Sequence, residues 1–168
     1  MIHYRDAAPE DGALLGGLTR ATFIETFGSL YALADLELFL AASSDAACAA
    51  DLADPDTAVR LALAGSTPVG FCKVGSLKLP AETSARTAEL RQLYIHKPWH
   101  GSGIAAVLTE WALAEARGRG AEELWLSVYT DNPRARRFYA RYGFTEIGPY
   151  HFMVGNQADA DILCKAVL

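Results

Sequence analysis

The chain has 168 residues, of which 51% are hydrophobic and 21% are charged, so it is long enough to bury one core and short enough to form a single domain over residues 1–168. Its 15 basic and 20 acidic residues give a net charge of −5, which argues against a nucleic-acid partner, because phosphates require a basic face, and suits a cationic small molecule. Since neither a signal peptide nor a long apolar run is present, we expect a cytoplasmic protein with no membrane partner.

The first half of the chain contains regular predicted segments. Hydrophobic periodicity predicts a strand at residues 2–5, a helix from about residue 9 to residue 27 and a looser helical region from about residue 34 to residue 53, broken near Ser43 and Ser44. Residues 59–64 and 68–74 are predicted to form a hairpin around Gly65. A loop at residues 79–83 then precedes the next strand.

A strand followed by a glycine loop is the most informative feature. The alternation over residues 89–95 predicts two faces, with Leu90, Gln92 and Tyr94 on one, and Glu89, Arg91, Leu93 and Ile95 on the other. The loop after it reads Trp99-His100-Gly101-Ser102-Gly103-Ile104-Ala105. Two glycines let the backbone turn without a Cβ clash, so free N–H groups at the next helix N-terminus can point at phosphate oxygens. The loop therefore predicts an anion cradle suited to a pyrophosphate.

Two alternatives compete with this interpretation. A short glycine loop is often a plain turn. The residues from Gly101 to Ala106 also fit the G-x-G-x-x-A form of the dinucleotide fingerprint. Against that form, Pro98 separates the loop from the strand, fewer than 70 residues remain for further βαβ units, and Asp131 lies further away than the acidic residue expected about 20 positions on.

The helix after the loop and the segments beyond it complete the predicted fold. The helical face carries Ile104, Val107, Leu108, Trp111 and Ala112, and glycines at 118 and 120 end the helix. Residues 124–129 are apolar on both faces, which is typical of a central strand. A second helix begins at Asn132 and Pro133, presents Ala135, Phe138, Tyr139 and Tyr142 on one face, and ends at Gly143.

Two further strands, residues 144–154 with a break at Gly148-Pro149 and residues 161–167, end the chain. The whole pattern predicts an α/β (α+β) fold, with a mixed, mostly antiparallel central sheet and helices on both faces.

The cysteines and histidines do not predict a metal site. Cys48, Cys72 and Cys164 are far apart and lie among apolar neighbours, so we expect buried free thiols in a reducing compartment. The four histidines have no metal-ligand spacing with these cysteines.

The loop at His100-Gly-Ser-Gly-Ile-Ala105 and the later run Asn132-Pro-Arg-Ala-Arg-Arg-Phe138-Tyr139-Ala-Arg-Tyr-Gly143-Phe144 resemble two motifs of the GNAT superfamily of N-acetyltransferases, in the right order and spacing. The resemblance covers roughly residues 89–144 and implies acetyl-coenzyme A as co-substrate. The chain departs from the family pattern at His100, where the family has Gln or Arg. A histidine can still donate hydrogen bonds to a pyrophosphate, but its positive charge is only partial near neutral pH.

The resemblance also implies roles for individual residues. The cofactor-binding set comprises the loop residues His100, Gly101, Ser102, Gly103, Ile104 and Ala105, the backbone of Leu93, Tyr94 and Ile95, and Asn132 and Tyr139. Tyr139 is the acid that protonates the leaving sulfur, unless it merely packs. Asn132 binds the cofactor arm, although helix capping alone would explain it. We choose Glu89 as the general base, directly or through water; the alternative is a carboxylate paired with Arg91 or Lys97.

Two more segments, Phe23-Ile-Glu25-Thr-Phe27 and His151 to Asn156 with Asp159-Ala-Asp161, are loosely similar to the bacterial spermidine/spermine-type branch of that superfamily. This similarity implies a primary amine acceptor, small or polyamine-like. Acetylation of a protein or peptide, and a non-catalytic acyl-coenzyme A sensor, stay open as alternatives. We expect a monomer or a homodimer.

Overall fold

A seven-stranded sheet runs through the centre of the computed structural model, which describes all of residues 1–168. Its strands are β1 (Ile2–Asp6), β2 (Ala58–Ala64), β3 (Thr67–Gly75), β4 (Thr87–Ile95), β5 (Glu123–Tyr129), β6 (Thr145–Val154) and β7 (Gln157–Val167). They lie in the order β1-β2-β3-β4-β5-β7-β6, and every neighbouring pair is antiparallel except β4 and β5. The predicted mixed, mostly antiparallel sheet is confirmed.

Helices cover both faces of this sheet. They are α1 (Gly12–Phe27), α2 (Leu33–Ala42), α3 (Asp45–Ala53), α4 (Ile104–Gly118) and α5 (Pro133–Arg141). One apolar cluster joins α1 and α3 to β2, β3 and β4, and includes Leu15, Cys48 and Phe71. A larger cluster joins α4, and the inner side of α5, to the centre of the sheet. The three cysteines are free and buried, as predicted.

The packing of α1 against α3 depends on small residues. A Cβ atom added at Gly12 would lie 2.6 Å from the Cβ of Ala49, so only glycine allows this approach. The chain breaks between α2 and α3 where the sequence predicts, and the Ser44 side chain caps α3 by accepting a hydrogen bond from the Ala47 amide at 3.2 Å. This packing fixes the C-terminal half of α1 beside the central strands.

A bulge in β4 overturns the predicted alternation. Val74 pairs with Leu90 but Lys73 pairs with Gln92, so Arg91 is an extra residue. Leu90 therefore packs in the α4 cluster, as do Leu93 and Ile95, whereas Tyr94 packs against the α1 cluster. The prediction that Leu90, Gln92 and Tyr94 share a face is wrong, because one inserted residue exchanges the faces of everything after it.

The predicted buried face of α4 also needs a correction. Ile104, Leu108 and Ala112 are fully buried, but Val107 is 40% exposed. The buried stripe continues instead to Ala116, and Trp111 packs only at its margin.

The centre of the sheet opens where β4 and β5 diverge. These parallel strands pair only between Thr87–Glu89 and Glu123–Trp125. Beyond Glu89, the backbone groups of β4 that face β5 have no strand partner, and a cavity of about 1020 Å³ occupies the gap. Unpaired backbone donors and acceptors beside a cavity are a ready site for an extended ligand.

Candidate active site

Both sequence motifs and both faces of the sheet meet at this cavity. Its lining includes parts of α1 and α2, β4 and its following loop, the start of α4, β5, α5, β6 and the start of β7. Leu124, Leu126 and Val128 belong to the α4 cluster, so Ser127 and Tyr129 point to the opposite face of the sheet. The cavity is thus open to two sides, one bounded by α4 and α5 and one by α1.

The glycine loop has the conformation that an anion cradle requires. Gly101 and Gly103 have φ angles of 82° and 88°, in the left-handed region that favours glycine, and an added Cβ at either would point into open space. Gly103 is the N-cap of α4 and supplies no side-chain cap, so the first amides of this helix are free. Free amides at the positive end of a 15-residue helix favour a phosphate group.

Ser102 and Ile104 of the loop can contact a ligand only through their backbone groups. The Ser102 hydroxyl donates to the Trp99 carbonyl at 2.6 Å, and the side chain of Ile104 is 1% exposed within the core. Ala105 lines the cavity beside them.

The start of the loop is tied to α1. The Glu25 carboxylate contacts His96 Nδ1 at 2.8 Å and accepts from the Lys97 amide at 3.1 Å. These contacts depress the pKa of Glu25 against the opposing effect of burial. Glu25 therefore positions the loop.

His100 is exposed and lines the cavity, but both of its ring nitrogens contact other groups of the protein. Its Nε2 lies 2.8 Å from the Ile95 carbonyl oxygen, and its Nδ1 lies 2.7 Å from a guanidinium nitrogen of Arg134. A carbonyl only accepts and a guanidinium only donates, so Nε2 carries the proton and Nδ1 does not. This arrangement leaves no ring nitrogen for a pyrophosphate.

Arg134, which sequence reasoning missed, brings a permanent positive charge to the side of the loop. It lies in the first turn of α5 and lines the cavity beside the loop. A cation at a helix N-terminus is unfavourable for the helix dipole. That unfavourable position is the sequence signal that points to an external anion.

Tyr139 lies on the α5 side of the cavity. Its ring packs against Phe138 and Phe144, at centroid distances of 5.4 and 5.6 Å, and its hydroxyl makes no hydrogen bond within the protein. Burial raises the pKa of Tyr139 well above its usual value, with smaller contributions from Cys72 and Tyr94. The hydroxyl remains protonated and free to donate.

Asn132 has the capping role that the sequence predicts. Its Oδ1 accepts from the Ala135 amide at 3.1 Å. Because its Nδ2 has no partner in the protein and the residue lines the cavity, capping and ligand binding are compatible.

Glu89 lies at the point where β4 and β5 separate, and only 8% of it is exposed. Its Oε2 accepts from the backbone amides of Lys78 and Leu79 at 2.7 and 3.2 Å, which leaves Oε1 without a partner in the protein. The alternative pairing with Arg91 or Lys97 is wrong, since Arg91 donates to Ser76 and Thr57.

A sequence model of the Acetyltransferase (GNAT) family matches residues 22–144. This chain belongs to the GNAT family. An uncharacterised N-acetyltransferase of Mycobacterium bovis is 36% identical over 118 residues, which cover 70% of this chain and 72% of that protein. Another, encoded in the pepI 3′ region of Lactobacillus delbrueckii subsp. lactis, is 26% identical over 153 residues, which cover 90% of this chain and 88% of that protein.

A comparison with solved structures finds the same fold. The PaiA N-acetyltransferase of Thermoplasma acidophilum, solved in complex with coenzyme A, gives a TM-score of 0.80 at 21% identity, covering 100% of this chain and 99% of that one. The GNAT fold predicted from the sequence is thereby confirmed, and the protein is an acetyl-coenzyme A-dependent N-acetyltransferase.

The residues of this GNAT enzyme fit that co-substrate. The uncapped amides of α4 and the Arg134 guanidinium suit a pyrophosphate, and the unpaired edge of β4 beside Leu93, Tyr94 and Ile95 suits an amide-containing arm. No group of three or more His, Cys, Asp or Glu side chains is arranged to hold a metal ion. None of the helices has the length and hydropathy of a membrane span.

Proposed function

We propose that this enzyme acetylates a small primary amine by direct transfer, and that polyamine-like amines are one candidate class within this group. The observation that carries the proposal is a pair of carboxylates, Asp159 and Asp161, on the α1 side of the cavity. They are 8% and 7% exposed, and neither forms an ion pair within the protein. Buried anions without a protein cation suit a cationic ligand.

The two open sides of the cavity suit two substrates. Coenzyme A enters on the side of the glycine loop and α5, and the amine enters on the side of α1 and β7. In this arrangement Tyr139 donates its proton to the departing sulfur, and a backbone amide of β4 stabilises the developing oxyanion. Each of these groups acts without an added metal.

Glu89 stays our prediction for the group that removes the proton from the amine. Glu89 lines the cavity and its Oε1 has no partner in the protein, whereas its Oε2 accepts from the loop at Lys78. A water molecule between Oε1 and the amine is the form of the proposal that this geometry supports best.

The location and assembly stay predictions too. Three buried free thiols suit the reducing cytoplasm. Size-exclusion chromatography with light scattering distinguishes the expected monomer from the expected homodimer.

An amine panel tests the proposed function. Release of free thiol from acetyl-coenzyme A is followed with small monoamines, diamines, polyamines and peptides with free N-termini, and the acetylated product is identified by mass spectrometry. We expect turnover with small primary amines and no turnover with matched tertiary amines. Preferred turnover of peptides would replace the acceptor class, and binding of acetyl-coenzyme A without turnover of any amine would favour a sensor.

A further inference from the structure

Aromatic rings surround the two carboxylates on the α1 side of the cavity. We call this region the acceptor pocket; it comprises Phe23, Phe27, Tyr31, Phe39, Tyr129, Phe152, Asp159 and Asp161. Phe23 stacks on Phe39 at 4.0 Å and on Tyr31 at 5.9 Å. Phe27 meets Tyr129 edge-on at 6.2 Å, and Phe39 meets Phe152 at 6.1 Å. These rings come from α1, α2, β5, β6 and the segment before α2, so they form a continuous wall.

Asp159 is satisfied by neutral donors. The Tyr31 hydroxyl donates to Asp159 Oδ2, and the Gln157 amide donates to Oδ1 at 3.1 Å. Both of its oxygens are therefore engaged, and its main effect is to hold the Tyr31 segment against β7. Asp159 therefore adds negative charge to the pocket, although its oxygens already accept hydrogen bonds from the protein.

Asp161 is different, because no cation and no backbone amide reaches it. It is 7% exposed, and the groups that face it are the Ser127 hydroxyl and Tyr129 on β5, Tyr150 across from it on β6, Asp159 on β7, Tyr94 on β4 and Tyr31. Burial raises the pKa of Asp161 to about 6; the Ser127 hydroxyl opposes this shift and Asp159 adds to it. The pocket therefore holds one buried carboxylate that no cation of the protein neutralises.

We propose that Asp161 binds the ammonium group of the acceptor, and that the aromatic wall selects a primary monoamine with an aromatic or bulky apolar body. This inference rests on the proposed function and names its substrate class. An ammonium beside Asp161 replaces the lost hydration of the carboxylate, and the ring faces of Phe27 and Tyr129 attract the same cation. The other rings accommodate the apolar body of the amine.

The number of carboxylates that can still bind an ammonium group argues against a linear polyamine as the acceptor. A polyamine carries two or more charges near neutral pH, but Asp159 is already satisfied and only Asp161 is free. A second ammonium would have to displace Tyr31 or Gln157 from Asp159, or lie among the rings, and both positions are costly. The pocket thus disfavours a polyamine through the cost of desolvating its second charge, and it favours an apolar monoamine through contacts with the rings.

Calorimetric titration of the coenzyme A-loaded protein tests the inference with defined probes. The probes are 2-phenylethylamine, 1,4-diaminobutane and spermidine. We expect 2-phenylethylamine to bind at least tenfold more tightly than either of the others. Asp161→Asn, which keeps the shape and removes the charge, lowers its affinity by roughly tenfold to a hundredfold, with unchanged affinity for coenzyme A.

A matched control and a second variant keep the result interpretable. Glu110→Gln removes one charge from the exposed side of α4 and should bind the amine like the wild type. Phe27→Leu removes a ring but no charge, and should weaken 2-phenylethylamine more than 1,4-diaminobutane.

Tighter binding of spermidine, or unchanged affinity in a folded Asp161→Asn protein, would overturn the inference. The failure of the proposed function looks different: a protein that does not bind coenzyme A, or that binds these amines without acetylating any of them. Titration of the amines into the protein without coenzyme A still measures the contribution of Asp161 in that case.

Discussion

In this protein, the positive charge beside the glycine loop comes from a residue other than the one in the family pattern. His100 replaces Gln or Arg at the cradle, but its ring bridges the Ile95 carbonyl and Arg134. The positive charge near the loop therefore arrives from α5, more than thirty positions later in the chain. We therefore expect His100 to position Arg134, and Arg134 to contact the phosphate.

We expect Arg134→Gln to weaken coenzyme A binding by roughly fivefold to thirtyfold, because a charge-assisted contact to phosphate is lost. The deficit should shrink as salt concentration rises, since screening already weakens the wild-type contact. Calorimetry at two salt concentrations measures both effects. Arg117→Gln, on the exposed last turn of α4, is the matched control, and equal losses in both variants would contradict the role of Arg134.

Asp161 gives a prediction about stability. Its pKa rises from 3.8 to about 6 on folding, so its contribution to stability is complete below about pH 4 and is lost as the pH rises through 6. That rise corresponds to at most about 3 kcal/mol. Asp161→Asn should therefore increase the free energy of unfolding near neutral pH, and the gain should vanish near pH 4. Urea unfolding of both proteins at the two pH values measures this, and a destabilised variant near neutral pH would show that Asp161 is structural.

At the scale of elements, the sequence predicts most of the fold because periodicity and caps are local signals. The break at Ser43-Ser44 and the cap at Asn132 lie where the sequence places them. The β4 bulge escapes prediction, because either face assignment of residues 89–95 has a similar polar pattern and only the pairing with β3 selects one. The divergence of β4 from β5 also escapes prediction, because it depends on how the two strands pair.

The glycine loop is the element whose conformation is most open to test. Gly103→Val should reduce coenzyme A affinity below detection, because a branched side chain is strained at a φ of 88° and projects into the space in front of the free amides. The melting temperature separates this effect from unfolding. Gly118→Ala, at the far end of α4 where a Cβ meets open space, is the control. A folded Gly103→Val protein with normal affinity would exclude the loop as the cradle.

At the scale of the whole molecule, the acceptor pocket is assembled from distant parts of the chain. Tyr31 and Asp159 are 128 positions apart and hydrogen-bonded. The sequence offers these segments only as a loose similarity, since no local pattern reports that the segment before α2 packs on β7. The cofactor side is easier to predict because the strand, loop and helix that form it are contiguous.

Tyr139 lines the cavity on the α5 side and is the residue that we expect to act chemically on the thioester. Tyr139→Phe keeps the ring and its packing against Phe144, and it removes only a hydroxyl that has no partner in the protein. Stability and affinity for acetyl-coenzyme A should therefore change little, whereas turnover of the best amine should fall by roughly tenfold to a thousandfold.

The most direct test of acetyl transfer in this cavity is to measure turnover, the acetyl-coenzyme A dissociation constant and the melting temperature of the same Tyr139→Phe preparation. Lost turnover with an unchanged dissociation constant and melting temperature is the predicted result. A fully active Tyr139→Phe enzyme would contradict it and remove Tyr139 from the mechanism.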